Sequence, residues 1–140
     1  MAELNLVEKV IALESVEILK DLTPDDLARI ASIAQEVTLP AGSVILDPRR
    51  PLDALSVILD GWVSISRNGE ELYTARQNEV LGAWALFDPD PVSVTATTLG
   101  DTRVLRIGRE DFYDLLADHR EITQSLFKTM VSRFRKLAES

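Results

Sequence analysis

The run Val80–Thr98, VLGAWALFDPDPVSVTATT, holds the residues of this 140-residue chain best suited to chemistry. Gly82 stands just before a short helix-like stretch over 83–87, and a Pro-rich turn and a strand-like 92–98 follow. A glycine ahead of a short helix leaves several backbone N–H groups unpaired at one point, which suits an anion. A bound anion usually also receives a cation, commonly Arg, whose planar guanidinium matches phosphate. Between Arg76 and Arg103 there is no Lys or Arg, while Glu79, Asp88, Asp90 and Asp101 are present. The cradle lacks its counter-charge.

Other chemistry finds less support. Asp88 and Asp90 form a carboxylate pair of the kind glycosidases use, yet they sit in a Pro-bracketed turn where Asp is common for turn reasons. The single His, His119, follows Asp118 at a helix end and has no Ser or Cys partner signal. There is no phosphate loop, zinc spacing or nucleophile elbow, so no enzyme, no catalytic residue and no metal site is expected.

The elements that must position the central run can be read from periodicity. Residues 4–19 carry a loose helical stripe of Leu6, Val7, Val10, Ile11, Leu13, Ile18 and Leu19. Thr23 reads as an N-cap, Pro24 as the first helical residue, and Asp25 and Asp26 sit at the positive helix end; the helix runs to about Ala34. From Gln35 the period becomes two. Short strands are expected at 37–39, 44–46, 55–59, 62–66, 71–75, 92–98 and 102–107, with Asn68-Gly69 as a hairpin turn. Two helices, about 109–118 and 121–138, close the chain. The second places Ile122, Leu126, Met130, Phe134 and Leu137 at near-heptad spacing, a stripe that either covers the sheet or pairs with a second copy.

Composition sets the limits. At this length one domain with a real core is expected, spanning 1–140: helices over 1–36, a β roll over 37–108 with the 80–98 run inside it, and helices over 109–140. The net charge of −8 argues against a nucleic-acid backbone as partner. The basic residues of the last helix (Arg120, Lys128, Arg133, Arg135 and Lys136) read as a solvated face in preference to a DNA contact. No apolar run is long enough to span a membrane, the acidic N-terminus is no signal peptide, and the absence of Cys fits a reducing, cytoplasmic compartment.

The order of these elements, together with Leu39-Pro40-Ala41-Gly42-Ser43-Val44-Ile45, Asp53–Gly61 and Asp101–Ile107, resembles the cyclic nucleotide-binding domain family. That family includes the sensor half of the catabolite activator protein and the regulatory subunits of protein kinase A. The resemblance covers nearly the whole chain. It implies a mainly β fold, a jelly-roll barrel (double-stranded β-helix) with N-terminal and C-terminal helices, and a phosphate-binding cassette between two strands. The family's cassette falls here on Leu81–Phe87 and then, after Asp88-Pro89-Asp90, on Pro91-Val92-Ser93-Val94. Gly82, Ala85, Leu86, Pro91 and Ser93 match it. The family's ribose-binding Glu is Ala83, its phosphate-binding Arg is Val92, and the usual Glu-Gly-Asp turn is Pro48-Arg49-Arg50.

Losing a charge-assisted Arg contact costs about 1.5–3 kcal/mol and losing the ribose acceptor about 1–3. Together these remove roughly a hundredfold or more in affinity. The chain is therefore expected to be a regulatory domain with no cofactor, its cassette positions Gly82, Ala83, Trp84, Ala85, Pro91, Val92 and Ser93 marking a weak ligand site. Trp84 is expected in core or cap packing at the helix start, the alternative being that it fills the vacated pocket with Leu81, Phe87 and Val92. Partners are expected through the last helix, as a homodimer or with another protein. The alternative is a sensor that keeps the pocket for cyclic AMP, cyclic GMP or a different effector. A DNA-binding regulator is expected least, because no helix-turn-helix follows within the 140 residues.

Overall fold

The computed structural model describes residues 3–88, 90 and 92–139. Helix α1, Leu6–Leu13, starts at a capping box: the Asn5 side chain accepts the Glu8 amide at 2.8 Å, and the Glu8 carboxylate accepts the Asn5 amide at 3.1 Å. The stripe expected to run to residue 19 breaks. Val16 is extended (φ −89°, ψ 106°) and a short 3₁₀ turn, Glu17–Leu19, follows. In an unbroken helix residues two apart point about 200° apart, so Val16 and Ile18 would oppose one another. The break lets Leu13, Val16, Ile18 and Leu19 all turn inward, while Leu6, Val7 and Ile11 stay exposed.

Helix α2, Pro24–Ile33, begins as its sequence indicates. Thr23 Oγ1 accepts the Asp26 amide at 3.2 Å, Pro24 takes the first helical position, and Asp25 and Asp26 occupy the positive first turn. Eight strands follow: β1 Gln35–Leu39, β2 Val44–Leu46, β3 Ala54–Asp60, β4 Val63–Arg67, β5 Glu70–Ala75, β6 Val80–Leu81, β7 Thr95–Thr98 and β8 Thr102–Gly108. They pair into two antiparallel sheets, ordered β1-β8-β3-β6 and β2-β7-β4-β5. Apart from the β4–β5 hairpin, turned at Asn68 (φ 53°) and Gly69 (φ 81°), consecutive strands alternate between the sheets. This is a jelly roll built as two facing sheets.

Strand β7 is shorter than the seven residues expected. Its last partner on β4 is Ser66, opposite Thr95, and β4 ends one residue later, so residues 92–94 have no ladder to join.

Alternation divides the apolar residues between two cores. Leu55 and Val57 of β3 and Leu105 and Ile107 of β8 face the helices, with Ile30, Phe112 and Ile122. Ile58 joins Leu46, Val63, Ile65 and Ala96 between the sheets. Helices α3, Arg109–Asp118, and α4, Arg120–Glu139, close the helical layer. Thr129, fully buried on α4, donates to Asp21, and Arg133 lies 3.6 Å from Glu17, so α4 is tied to the turn before α2.

Phe112 is fully buried and meets the Phe87 ring edge-on at 6.0 Å, linking the helical layer to the central run. Phe112→Ala should cost about 3–5 kcal/mol, read as a lowered denaturant midpoint at unchanged m-value.

Candidate functional site

The central run leaves the edge strand β6, where Val80 and Leu81 pair with Val57 and Ser56. Gly82 then takes a left-handed conformation, φ 70° and ψ 36°, which only glycine adopts at little cost. Space favours it as well. A Cβ at residue 82 would lie 3.1 Å from the Ala54 carbonyl oxygen and 3.4 Å from a Leu46 methyl. Residues Ala83–Leu86 form one 3₁₀ turn, closed by the Ala85 amide donating to the Gly82 carbonyl at 2.9 Å. The Ala83 and Trp84 amides precede that bond.

The turn is pinned from both sides. Ala85 is fully buried in the inter-sheet core, whereas Leu86 and Phe87 belong to the helix-side core. Trp84 enters neither the core nor the pocket and is 60% exposed at the start of the turn. The reason is geometric: with Ala85 and Leu86 directed into the two cores, the position before them projects to solvent. Of the four apolar residues expected to fill the pocket together, Leu81 and Val92 pack in the inter-sheet core, and Phe87 goes to Phe112. Ser93 is exposed, and Pro91 lies outside the described residues.

Two cations reach this run from other elements. Arg109, the first residue of α3, donates its Nε to the Ala85 carbonyl at 2.6 Å and its Nη2 to the Leu52 carbonyl. Arg67, the last residue of β4, donates its Nη2 to Ser93 Oγ at 3.3 Å. Reading residues 77–102 alone missed both, since neither lies within them. The nearby carboxylates are partly used on local turns: Glu79 accepts the Arg76 amide at 2.8 Å, and Asp88 the Asp90 amide at 2.9 Å. His119, at the end of α3, lies 3.5 Å from Glu121.

Where a Glu-Gly-Asp turn was absent from the sequence, Asp47 organises the loop instead. It accepts from the Arg49 amide at 2.9 Å and from both Arg49 Nε and Nη2 at 3.2 Å, with Arg50 Nε at 3.3 Å. The Arg49 side-chain bonds, then the Arg49 amide, hold its carboxyl down from 3.8 to about 2. Asp47 therefore stays ionised well into acid.

The expected seam of α4 divides along its length. Ile122 and Leu126 are buried against the domain, Met130 is half-buried, and Phe134 and Leu137 are exposed. Each four-residue step advances about 40° beyond a full turn, so a stripe of such steps winds from the domain to solvent. Phe127 (64% exposed) and Val131, one turn before Phe134 (71%), continue the outward face instead of Leu126.

Removing the Arg109 guanidinium leaves two buried carbonyls without donors. Arg109→Met, which keeps the length of the stem, should cost about 2–4 kcal/mol in chemical denaturation. Amides of 83–87 should then lose hydrogen-exchange protection before those of β3.

The family model described as cyclic nucleotide-binding domain matches residues 36–119. Among curated relatives, the chain is 28% identical over 124 residues to a CRP-like cAMP-activated global transcriptional regulator of Mycobacterium tuberculosis, covering 85% of this chain and 55% of that protein. It is 30% identical over 112 residues to a cAMP-dependent protein kinase regulatory subunit of Aspergillus niger, covering 79% of this chain and 27% of that one. It thus spans about half, or less, of the length of these relatives. Among solved structures, the N-terminal domain of a transcriptional regulator from Streptomyces coelicolor superposes with a TM-score of 0.81 at 26% identity, over 91% of this chain and 93% of that one. A cyclic nucleotide-binding-like protein from Brucella abortus shares the fold, with a TM-score of 0.72 at 23% identity over 78% and 97%. No described helix is long and apolar enough to cross a membrane. Two facing sheets, a pinned turn at Gly82 and a family match over most of the roll place this chain in the cyclic nucleotide-binding domain family.

Proposed function

We propose that this regulatory domain does not bind cyclic nucleotide and works through protein contacts at α4. The observation that carries the reading is the pair Ala83 and Val92, where the family has its ribose acceptor and its phosphate-binding guanidinium. Arg109 does not replace the latter, because its Nε and Nη2 already serve the Ala85 and Leu52 carbonyls. The close approach of Leu46 and the Ala54 carbonyl to Gly82 also favours a turn held for packing. A Cys-free chain fits the cytoplasm, where this reading places the domain.

The occupant that α4 fits is a second copy of itself. Phe127, Met130, Phe134 and Leu137 repeat with three- and four-residue steps, the spacing by which two helices interlock side chains. One observation favours the alternative, a sensor for a different effector: Arg67 brings a guanidinium to Ser93.

Calorimetric titration with cyclic AMP and cyclic GMP tests the first claim, and no heat at micromolar ligand is expected. Saturable heat would establish the sensor instead. Ala83→Glu combined with Val92→Arg should restore measurable affinity, since about 2.5–6 kcal/mol of lost contacts return.

Light scattering tests the second claim. Wild type should associate with rising concentration, and Phe134→Glu should remain a folded monomer throughout. Wild type that stays monomeric at millimolar concentration would remove self-association.

A further inference from the structure

Between the inward faces of β1, β8 and β3 and the strand β2 lies an open cleft of about 320 Å³, with no described residue of 82–94 in its lining. That volume lies at the lower end of small-molecule sites, ~300–1,000 Å³. Strand alternation determines what faces it. Because Leu55, Val57, Leu105 and Ile107 turn to the helices, Ala54, Ser56, Val104 and Arg106 turn to the cleft. Val37, Leu39 and Val104 give it an apolar wall.

Two guanidiniums line the cleft, and each can be freed. Arg106 sits across the strand pair from the buried Ser56 and meets Asp53 at 3.1 Å. The Asp53 side chain is 81% exposed, so this pair is of the weak surface kind and Asp53 is solvated when it opens. Arg50 contributes one of the four bonds to Asp47, which keeps all three Arg49 donors if Arg50 turns away. Neither movement strands a buried carboxylate.

We infer that this cleft binds an organic monocarboxylate with a compact apolar body. Arg106 takes the carboxylate in a two-pronged contact, with Arg50 as the second cation. The apolar body lies on Val37, Leu39 and Val104, and Ser56 supplies a hydroxyl on the same face as Arg106. A net charge of −8 selects against doubly charged anions. The loop this ligand would order also leads to the helices: the Leu52 and Asp53 carbonyls accept from the Arg109 side chain and amide.

The test is an amide-resolved NMR titration of the 140-residue chain with cyclohexanecarboxylate and, separately, with cyclohexanemethanol. Saturable shifts are expected at the amides of Val37, Ser56, Val104 and Arg106. The alcohol, and the variants Arg106→Gln and Ser56→Ala, should each bind more weakly, by about tenfold for the alcohol and Arg106→Gln. Shifts confined to 82–94 or to the outer face of α4 would overturn the inference. So would equal affinity for acid and alcohol, or an Arg106→Gln protein, folded by circular dichroism, that binds like wild type. Cyclic AMP is titrated separately: shifts over 82–94 on its addition bear on the cassette reading alone, so the two can fail independently.

Discussion

One guanidinium joins the three parts of this domain. Arg109 donates through its amide to Asp53, through Nε to Ala85 and through Nη2 to Leu52. The loop before β3, the 3₁₀ turn after β6 and the start of α3 are thereby held at one point. Such an arrangement is costly to loosen. Backbone carbonyls taken out of water need donors, and a charged donor serving two of them is worth more than two neutral ones. The roll and the helical layer therefore meet through a polar clasp as well as through apolar packing. The turn after Gly82 and the start of α3 are thereby bonded directly to one another.

This clasp bears on why a cassette keeps its shape without its ligand groups. Gly82, Ala85 and Leu86 are the cassette matches whose surroundings the structure describes most fully, and each has a packing reason to be there. A Cβ at residue 82 would crowd the Ala54 carbonyl, Ala85 fits the inter-sheet core, and Leu86 fills the other core. Ala83 and Val92, where the resemblance puts the groups that hold sugar and phosphate, are only partly buried, each at the margin of one core. Packing preserves the first set whether or not a nucleotide ever binds. Resemblance at the turn is thus a statement about architecture, and only the side chains at 83 and 92 speak about ligand.

The legible and illegible features of the sequence divide along the same line. Local rules were sufficient where one element decides: the Thr23-Pro24 start of α2 and the Asn68-Gly69 hairpin both lie where their residues indicated. The N-terminal stripe misled because Val16 and Ile18 must point the same way, which a helix forbids and the β3 and β8 surface demands. Trp84 misled because its direction is set by the two residues after it, each committed to a different core. Residues 77–102 hold no cation of their own, and Arg67 and Arg109 arrive from β4 and α3 through tertiary contacts that no local window contains. The cleft beside Arg106 was equally hidden, being made by the register of β3 against β8 and by the loop that Asp47 ties.

The strength of any association through α4 can be bounded from its surface. A fully buried Phe covers about 150–250 Å², so the exposed parts of Phe127, Val131, Phe134 and Leu137, with half-buried Met130, offer roughly 500–700 Å² per copy. A stable specific interface usually takes about 800 Å² from each partner. The outward face of α4 alone therefore falls short of a permanent dimer and suits a reversible one. Its charges point the same way: α4 holds five of the 15 cations in the chain and only two of the 23 carboxylates, so two such helices side by side repel. Contact gains if the basic flank of one α4 also reaches acidic surface on the other copy. The exposed Leu6, Val7 and Ile11 of α1, with Glu3, Glu8 and Glu14 around them, form a surface of that kind. Because Thr129 and Arg133 tie α4 to the turn before α2, any shift of the helical layer alters how the outward stripe is presented. An interface near the threshold of stability responds to small shifts of that kind.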